Sequence, residues 1–296
     1  MTETLVPESA PAPAARPLRG SRVLRRLARN PLAVAGFVVL AIAVLGALLA
    51  PLVAPYAYDE THFDTPYAPP GTPGFLLGSD DLGRDVLSRI LFGMQSSLQA
   101  SVLAVIVALV IGVPLGLAAG YSPVLDALIS RLTDLVLAFP FLILAVGLAA
   151  IRGPSLTNAA FAIGLAQVPG MIRIVRSETL RLAALDFVAA AVASSAGSAW
   201  VLFRHILPNA TSAIIVQATV AIPVAILGEA VLSFLGLGIR PPQPSLGTML
   251  SDAQQYAAQA PWTAVIPGVA IMLVALAFNL FGDGLRDALD PKASRR

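Results

Sequence analysis

Cysteine is missing from all 296 residues. This one absence excludes disulfides, thiolate metal ligands and cysteine nucleophiles together. Histidine is nearly missing: His62 and His205 stand far apart, neither in an HxxE or HxxH pattern, so no metal site is expected. Lysine occurs once, as Lys292, and no GxxxxGK[ST] phosphate loop can be written in the chain. Charge is scarce as well. Asp, Glu, Lys and Arg make up 12% of the chain, against roughly 25% in soluble domains. With no clustered set of His, Asp or Glu, an integral-membrane enzyme is not expected, and neither is a nucleic-acid partner.

What is plentiful is apolar. Hydrophobic residues make up 57% and the mean hydropathy is +0.80, the composition of a polytopic membrane protein. Six apolar runs can be drawn, at 32–53, 96–120, 125–149, 159–175, 210–235 and 263–281. The first would be about 33 Å long as a helix, enough to cross a hydrocarbon layer of about 30 Å. It is too long for a signal-peptide core and reads as an uncleaved anchor.

The remaining charge is placed unevenly. Residues 1–17 are rich in Pro, Ala and Glu and read as a disordered tail. Arg16, Arg19, Arg22, Arg25, Arg26 and Arg29 form a basic flank before the first run. Arg173, Arg176, Arg181 and Arg204 surround residues 181–209, and Lys292, Arg295 and Arg296 end the chain. The other side holds only Arg84, Arg89, Arg152 and Arg240. The bias predicts six spans with both termini in the cytoplasm. The expected organisation is a basic tail at 1–30, a first transmembrane helix with an outer loop at 31–94, a core of five spans at 95–290, and a short tail at 291–296.

Within this frame several positions stand out. Ser79 or Asp80 can cap an amphipathic helix at the outer interface, with Leu82, Val86 and Ile90 as its apolar stripe and Asp85 paired to Arg89. Gly112, Gly116 and Gly120 recur every four residues, a spacing that lets another helix approach closely. Arg131 can reach Asp134. Spans two to six each hold a proline, Pro114, Pro140, Pro169, Pro223 and Pro267, either as hinges or as ordinary membrane-helix bends. Gln167, Gln217, Glu229 and Asn279 are polar at membrane depth, either along a pathway or in hydrogen bonds between helices.

The stretch 181–209 is too polar to span a bilayer and lies between two runs that do. Asp186 is placed to cap a short helix that carries Ala189, Ala190 and Ala191. Ser194, Ser195, Gly197 and Ser198 permit a turn. A second helical piece runs to Leu207 and Pro208, where proline punctuates it before the fifth run. A helix–turn–helix there must lie at the membrane surface, with a small alanine face open to close approach by another protein.

These residues resemble a family. Ala190-Ala191, the position four residues on, and Leu207-Pro208 are similar to the cytoplasmic signature of binding-protein-dependent ABC importer permeases. Segments 77–85, 204–209, 232–238 and 282–291 resemble its dipeptide, oligopeptide and nickel branch, and the basic tail with Arg29-Asn30-Pro31 resembles the C-type subunit of that branch. The family's loop glycine is Ser195 here, with Gly197 two further on; the acidic residue before the alanine pair is Ala189; and Leu246 stands where tryptophan is usual. The departure at Ser195 means either weaker coupling or a turn moved to Gly197.

The resemblance implies an all-α type I ABC importer permease fold with six transmembrane helices and a cytoplasmic coupling helix. It implies half of a pore in a bacterial inner membrane, shared with a sister permease. Two ATPase subunits would dock on the coupling loops and hold ATP and magnesium, while this chain holds no cofactor. An extracytoplasmic binding protein would deliver peptides or similar solutes. The alternative is a secondary transporter or channel driven by an ion gradient, for which only Glu229 offers a midplane carboxyl.

Overall fold

The computed structural model describes residues 19–289. The tail expectations for 1–18 and 290–296 lie outside the described residues. Those described are all-helical, with two isolated β-bridges and no strand. The helices are α1 (Arg19–Leu27), α2 (Pro31–Leu48), α3 (Ala50–Val53), α4 (Val86–Tyr121), α5 (Pro123–Ala138), α6 (Phe141–Arg152), α7 (Leu156–Ala183), α8 (Asp186–Ala193), α9 (Ser198–Val201), α10 (Leu207–Phe234), α11 (Leu246–Ala253) and α12 (Trp262–Leu289). A π-turn, Leu202–Ile206, joins α9 to α10.

Five segments are long and apolar enough to cross a membrane: α2, α4, α7, the continuous stretch Ser198–Phe234, and α12. A sixth crossing is made if α5 and α6 count as one broken span, for they meet at 87°. Pro140 sits in that break. It cannot donate a backbone hydrogen bond, and the residue before it is pushed towards extended geometry; Phe139 has φ −96° and ψ 129°. Pro114, Pro169, Pro223 and Pro267 stay inside unbroken helices.

Local chemistry sets the starts. Asn30 accepts from the N–H groups of Leu32 and Ala33 while Pro31 occupies the first turn, so α2 begins there. Asp85 accepts from Ser88 N at 2.7 Å and starts α4. The expected cap at Ser79 or Asp80 is therefore corrected, and so is a separate amphipathic helix. The 36 residues of α4 are one helix of about 54 Å, longer than the hydrocarbon layer.

Ser79 and Asp80 instead knit the loop between α3 and α4. Ser79 Oγ donates to Thr65 O at 2.6 Å and accepts from Ala68 N at 2.8 Å. Asp80 accepts from Leu82 N and Arg84 N and from the Arg84 and Arg89 side chains. Arg89 is buried and also donates to Asp252 in the last turn of α11 at 3.1 Å, so its partners are Asp80 and Asp252 and not Asp85. Gly83 turns the loop at φ +72°, and a Cβ there would fall on the His62 carbonyl. Nearby, burial and the neighbouring Tyr256 raise the Tyr67 phenol above its ordinary pKa.

The centre of the bundle is α4 against α7. A Cβ on Gly112 would stand 2.7 Å from Met171 Cβ, one on Gly116 2.6 Å from Val175 Cβ, and one on Gly120 2.5 Å from Thr179 Cβ. From the other side, a Cβ on Gly164 would stand 2.7 Å from Ala104 O. Small residues thus interlock the two helices over most of their length. This packing presents the end of α7, and the loop that follows, as a supported platform.

Candidate functional site

The loop between α7 and α10 is built on the apolar end of that platform. Val188 and Ala191 of α8 turn inward and join Leu117, Val175, Leu182, Val201, Ile206 and Ala210 in one buried cluster. Ala189 and Ala190 lie on the uncovered side. The alanine pair is therefore split: Ala190 is exposed, whereas Ala191 packs into the chain's own core.

Asp186 is not the cap. Leu185 holds that position without a side-chain bond, and Asp186 is the first helical residue. Its carboxylate there still complements the positive helix end. The turn after α8 is at Ser195, whose φ is +59°. Ser195 N–H donates to Val192 O at 2.9 Å and Ala196 N–H to Ala191 O at 3.2 Å, the paired bonds of a helix end closed by one left-handed residue. Gly197, at φ −65°, precedes α9 in an extended conformation that any residue adopts. The alternative of a turn moved to Gly197 is thereby corrected.

Pro208 does not end a helix. Ser198–Phe234 runs through it as one stretch. A proline ring in an α-helix meets the carbonyl four residues back, here that of Arg204. The π-turn at Leu202–Ile206 widens the helix at this point, with Leu207 N–H bonded to Leu202 O. Asn209 Nδ2 then donates to His205 O at 2.7 Å. The Arg204–Asn209 motif is thus a joint between loop and span. Leu207 is half-buried and Pro208 exposed.

The loop's outer surface is apolar and aromatic. Phe187, Val192, Trp200 and Phe203 are 40%, 50%, 53% and 64% exposed. The His205 ring lies 4.7 Å from that of Trp200 and 6.2 Å from that of Phe187, which ties α8 to the π-turn. Sequence reasoning passed over Trp200 and Phe203. An aromatic pair in a short polar loop was the available signal.

Above the loop, charge clamps α5 to α7. Arg176 donates twice to Asp126, at 2.5 and 2.6 Å, and Arg173 donates to Asp134 at 3.0 Å. The expected Arg131–Asp134 pair is not formed, because Asp134 turns to α7.

The four polar groups at membrane depth do not converge. Glu229 is fully buried towards the C-terminal end of α10 and accepts from Ser97 Oγ and Ser233 Oγ, each at 2.6 Å. Those hydroxyls accept from Leu246 N and Ile239 N. Glu229 therefore joins α4, α10 and the approach to α11. Gln167 and Gln217 lie on the neighbouring helices α7 and α10, and Asn279 is exposed on α12.

Comparison with known proteins decides what this architecture serves. Residues 112–295 match the family model described as binding-protein-dependent transport system inner membrane component. The chain belongs to this family. Residues 19–70 also match the N-terminal transmembrane domain of oligopeptide transport permease C. The dipeptide transport system permease protein DppC of Escherichia coli is 46% identical over 270 residues, 89% of this chain and 90% of that protein. The protein of that name in Alkalihalophilus pseudofirmus is 43% identical over 90% of this chain and 88% of its own length. The di/tripeptide permease DppC of Pseudomonas aeruginosa is 44% identical over 90% and 89%. Among solved structures, a chain of the MetNI methionine ABC transporter, determined in inward-facing conformations, superposes with a TM-score of 0.57 at 18% identity, covering 68% of this chain and 96% of that one. That likeness shows the fold. This permease is accordingly a multi-span membrane subunit of a bacterial ABC importer, and the family match decides against the ion-gradient alternative.

Proposed function

We propose that this permease passes short peptides through a pore shared with a similar sister permease, and that residues 186–208 couple it to two ATPase subunits. The carrying observation is the loop between α7 and α10 itself. It is a small helical unit packed inward through Val188, Ala191, Val201 and Ile206, with Ala190, Phe187, Trp200 and Phe203 left uncovered. Apolar surface of this kind calls for a protein partner. A cleft in each ATPase subunit would take such a unit, and the π-turn and Pro208 would pass its displacement into α10. ATP and magnesium would sit in those partners. An extracytoplasmic binding protein would deliver cargo at the outer loop. Both termini would lie in the cytoplasm of a cell with an inner membrane. Dipeptides are the first cargo to test, because the peptide permeases named above span nearly all of this chain. The test is reconstitution: this chain with its sister permease, ATPase subunits and binding protein should take up radiolabelled dipeptide only when ATP is supplied. Uptake independent of ATP, or of the ATPase subunits, would refute the reading.

A further inference from the structure

Two ionised side chains lie where lipid would penalise them. Arg173 of α7 and Asp134 of α5 pair at 3.0 Å, yet their side chains are 60% and 70% exposed. Arg173 stands ten residues before Ala183, about 15 Å from the loop end of a helix about 42 Å long. A hydrocarbon layer of about 30 Å leaves only about 12 Å of such a helix outside it. Arg173 therefore lies within the membrane boundary even if the whole overhang falls at the loop end. Asp134 is eleven residues from Pro123, about 16 Å from the same side. Charges at this depth must face water or protein.

The polar face extends beyond the pair. Gly170 and Arg173 lie on α7 opposite the face that Met171, Val175 and Thr179 bury against α4, and half-buried Gln167 lies at the margin between the two faces. Gly170 is exposed, and Gln217 of α10 reaches within 3.9 Å of where a Cβ on it would stand. Gln167 Nε2 is buried without a hydrogen-bond partner. One strip thus holds a guanidinium, a carboxylate and two carboxamides.

We propose that this strip faces the water-filled translocation path and transiently binds a zwitterionic short peptide. Arg173 receives the peptide carboxylate, Asp134 receives its ammonium group, and the carboxamides of Gln167 and Gln217 meet its amide. The proposal rests on the peptide-permease reading above. Its chemistry suits passage and not storage. An empty site neutralises itself through the Arg173–Asp134 pair, and a zwitterion exchanges that one pair for two without changing net charge. The exchange is nearly balanced, so the ligand leaves readily, as conduction requires.

The experiment uses the full complex in nanodiscs without nucleotide, and reads labelling on this subunit alone, which has no cysteine of its own. Gly170→Cys should fit, since its nearest neighbour would be 3.9 Å away. A charged, membrane-impermeant thiol reagent should modify it, and about 10 mM alanyl-alanine should slow modification about fivefold, as for a site with a millimolar Kd. The same peptide capped at both ends should not protect. Arg173→Gln or Asp134→Asn in the Gly170→Cys background should abolish protection by the free dipeptide. Ser177→Cys, exposed one turn further along this face, serves the same purpose if Gly170→Cys does not assemble. Absence of labelling at both positions would mean that lipid or the sister subunit covers the strip, and would overturn the proposal. Equal protection by the capped peptide would overturn it too. Failure of the wild-type complex to take up dipeptide would instead count against the peptide-permease reading, so the two failures are distinguishable.

Discussion

Gly116 of α4 faces Val175 of α7 so closely that a Cβ on Gly116 would stand 2.6 Å from Val175 Cβ and 3.0 Å from Ile172 O. Neither can yield cheaply: one is the branch point of a fully buried side chain and the other is backbone. Gly116→Ala should therefore overpack the interface by about 1–3 kcal/mol, and Gly116→Leu should separate the helices outright. Gly147→Ala is the control, because nothing lies within 4 Å of a Cβ there. Yield of monodisperse protein and its thermal unfolding are the measurements. Wild-type values for both Gly116 variants would show that α4 and α7 do not pack as described.

Ser195 occupies a left-handed conformation at φ +59°, which disfavours side chains by about 1–2 kcal/mol relative to glycine. Ser195→Gly should raise thermal stability by about that amount and leave transport intact. Ser195→Val, β-branched, should lower it. A stability unchanged by both substitutions would mean that the turn does not depend on this residue.

How much of this was legible in the sequence depends on the range of the forces involved. The glycine repeat, the short helical loop and five of the six apolar runs follow from composition and local spacing, and the structure contains them; the third run, 125–149, is broken at Pro140 into α5 and α6, which meet at 87°. What escaped was set by contacts distant in the chain. Arg89 lies four residues after Asp85 but pairs with Asp80 and Asp252. Asp134 lies three residues after Arg131 but pairs with Arg173. Ala190 and Ala191 are neighbours of identical type, and only the packing of α8 makes one exposed and the other buried. Pro208 reads as a stop, and the π-turn that accommodates it leaves no local mark.

Glu229 accepts from two buried hydroxyls on separate segments. Glu229→Gln keeps one acceptor and should cost about 1 kcal/mol, whereas Glu229→Leu strands both serines at about 1–3 kcal/mol each. Thermal stability should fall in the order wild type, Gln, Leu. Uptake per assembled complex should stay near wild type in the Gln variant. If Gln assembles normally but transports nothing, Glu229 acts on the cargo and is not an interhelix tie.

The proposed orientation places Thr72 outside and Ser198 in the cytoplasm, on opposite ends of the bundle. Cysteine can be introduced at either without background labelling from this subunit. An impermeant reagent applied to intact spheroplasts should label Thr72→Cys and spare Ser198→Cys until the cells are opened. Labelling of Ser198→Cys from outside would invert the topology.

The split of the alanine pair gives the sharpest test of the coupling loop. Ala190 is exposed on α8, while Ala191 is buried with Val188, Val201 and Ile206. Glutamate at the two neighbouring positions should therefore fail in different ways. Ala191→Glu puts an unpaired charge into the permease's own apolar cluster, which is costly wherever the ATPase subunits are, and should reduce stability of the isolated chain by several kcal/mol. Ala190→Glu points outward and should leave the isolated chain within about 0.5 kcal/mol of wild type, as surface substitutions do. Its effect should arise only when the partner docks, where an uncompensated charge in a desolvated contact weakens binding. The measurements are thermal unfolding of the chain alone, the ratio of ATPase subunits retained by the purified complex, and substrate-stimulated ATP hydrolysis. If Ala190→Glu keeps both ATPase subunits and hydrolyses ATP at the wild-type coupled rate, α8 is a structural turn and the coupling contact lies elsewhere. If it folds normally but loses them, the uncovered face of α8 is the docking face, with Phe187 and Trp200 as the next positions to truncate.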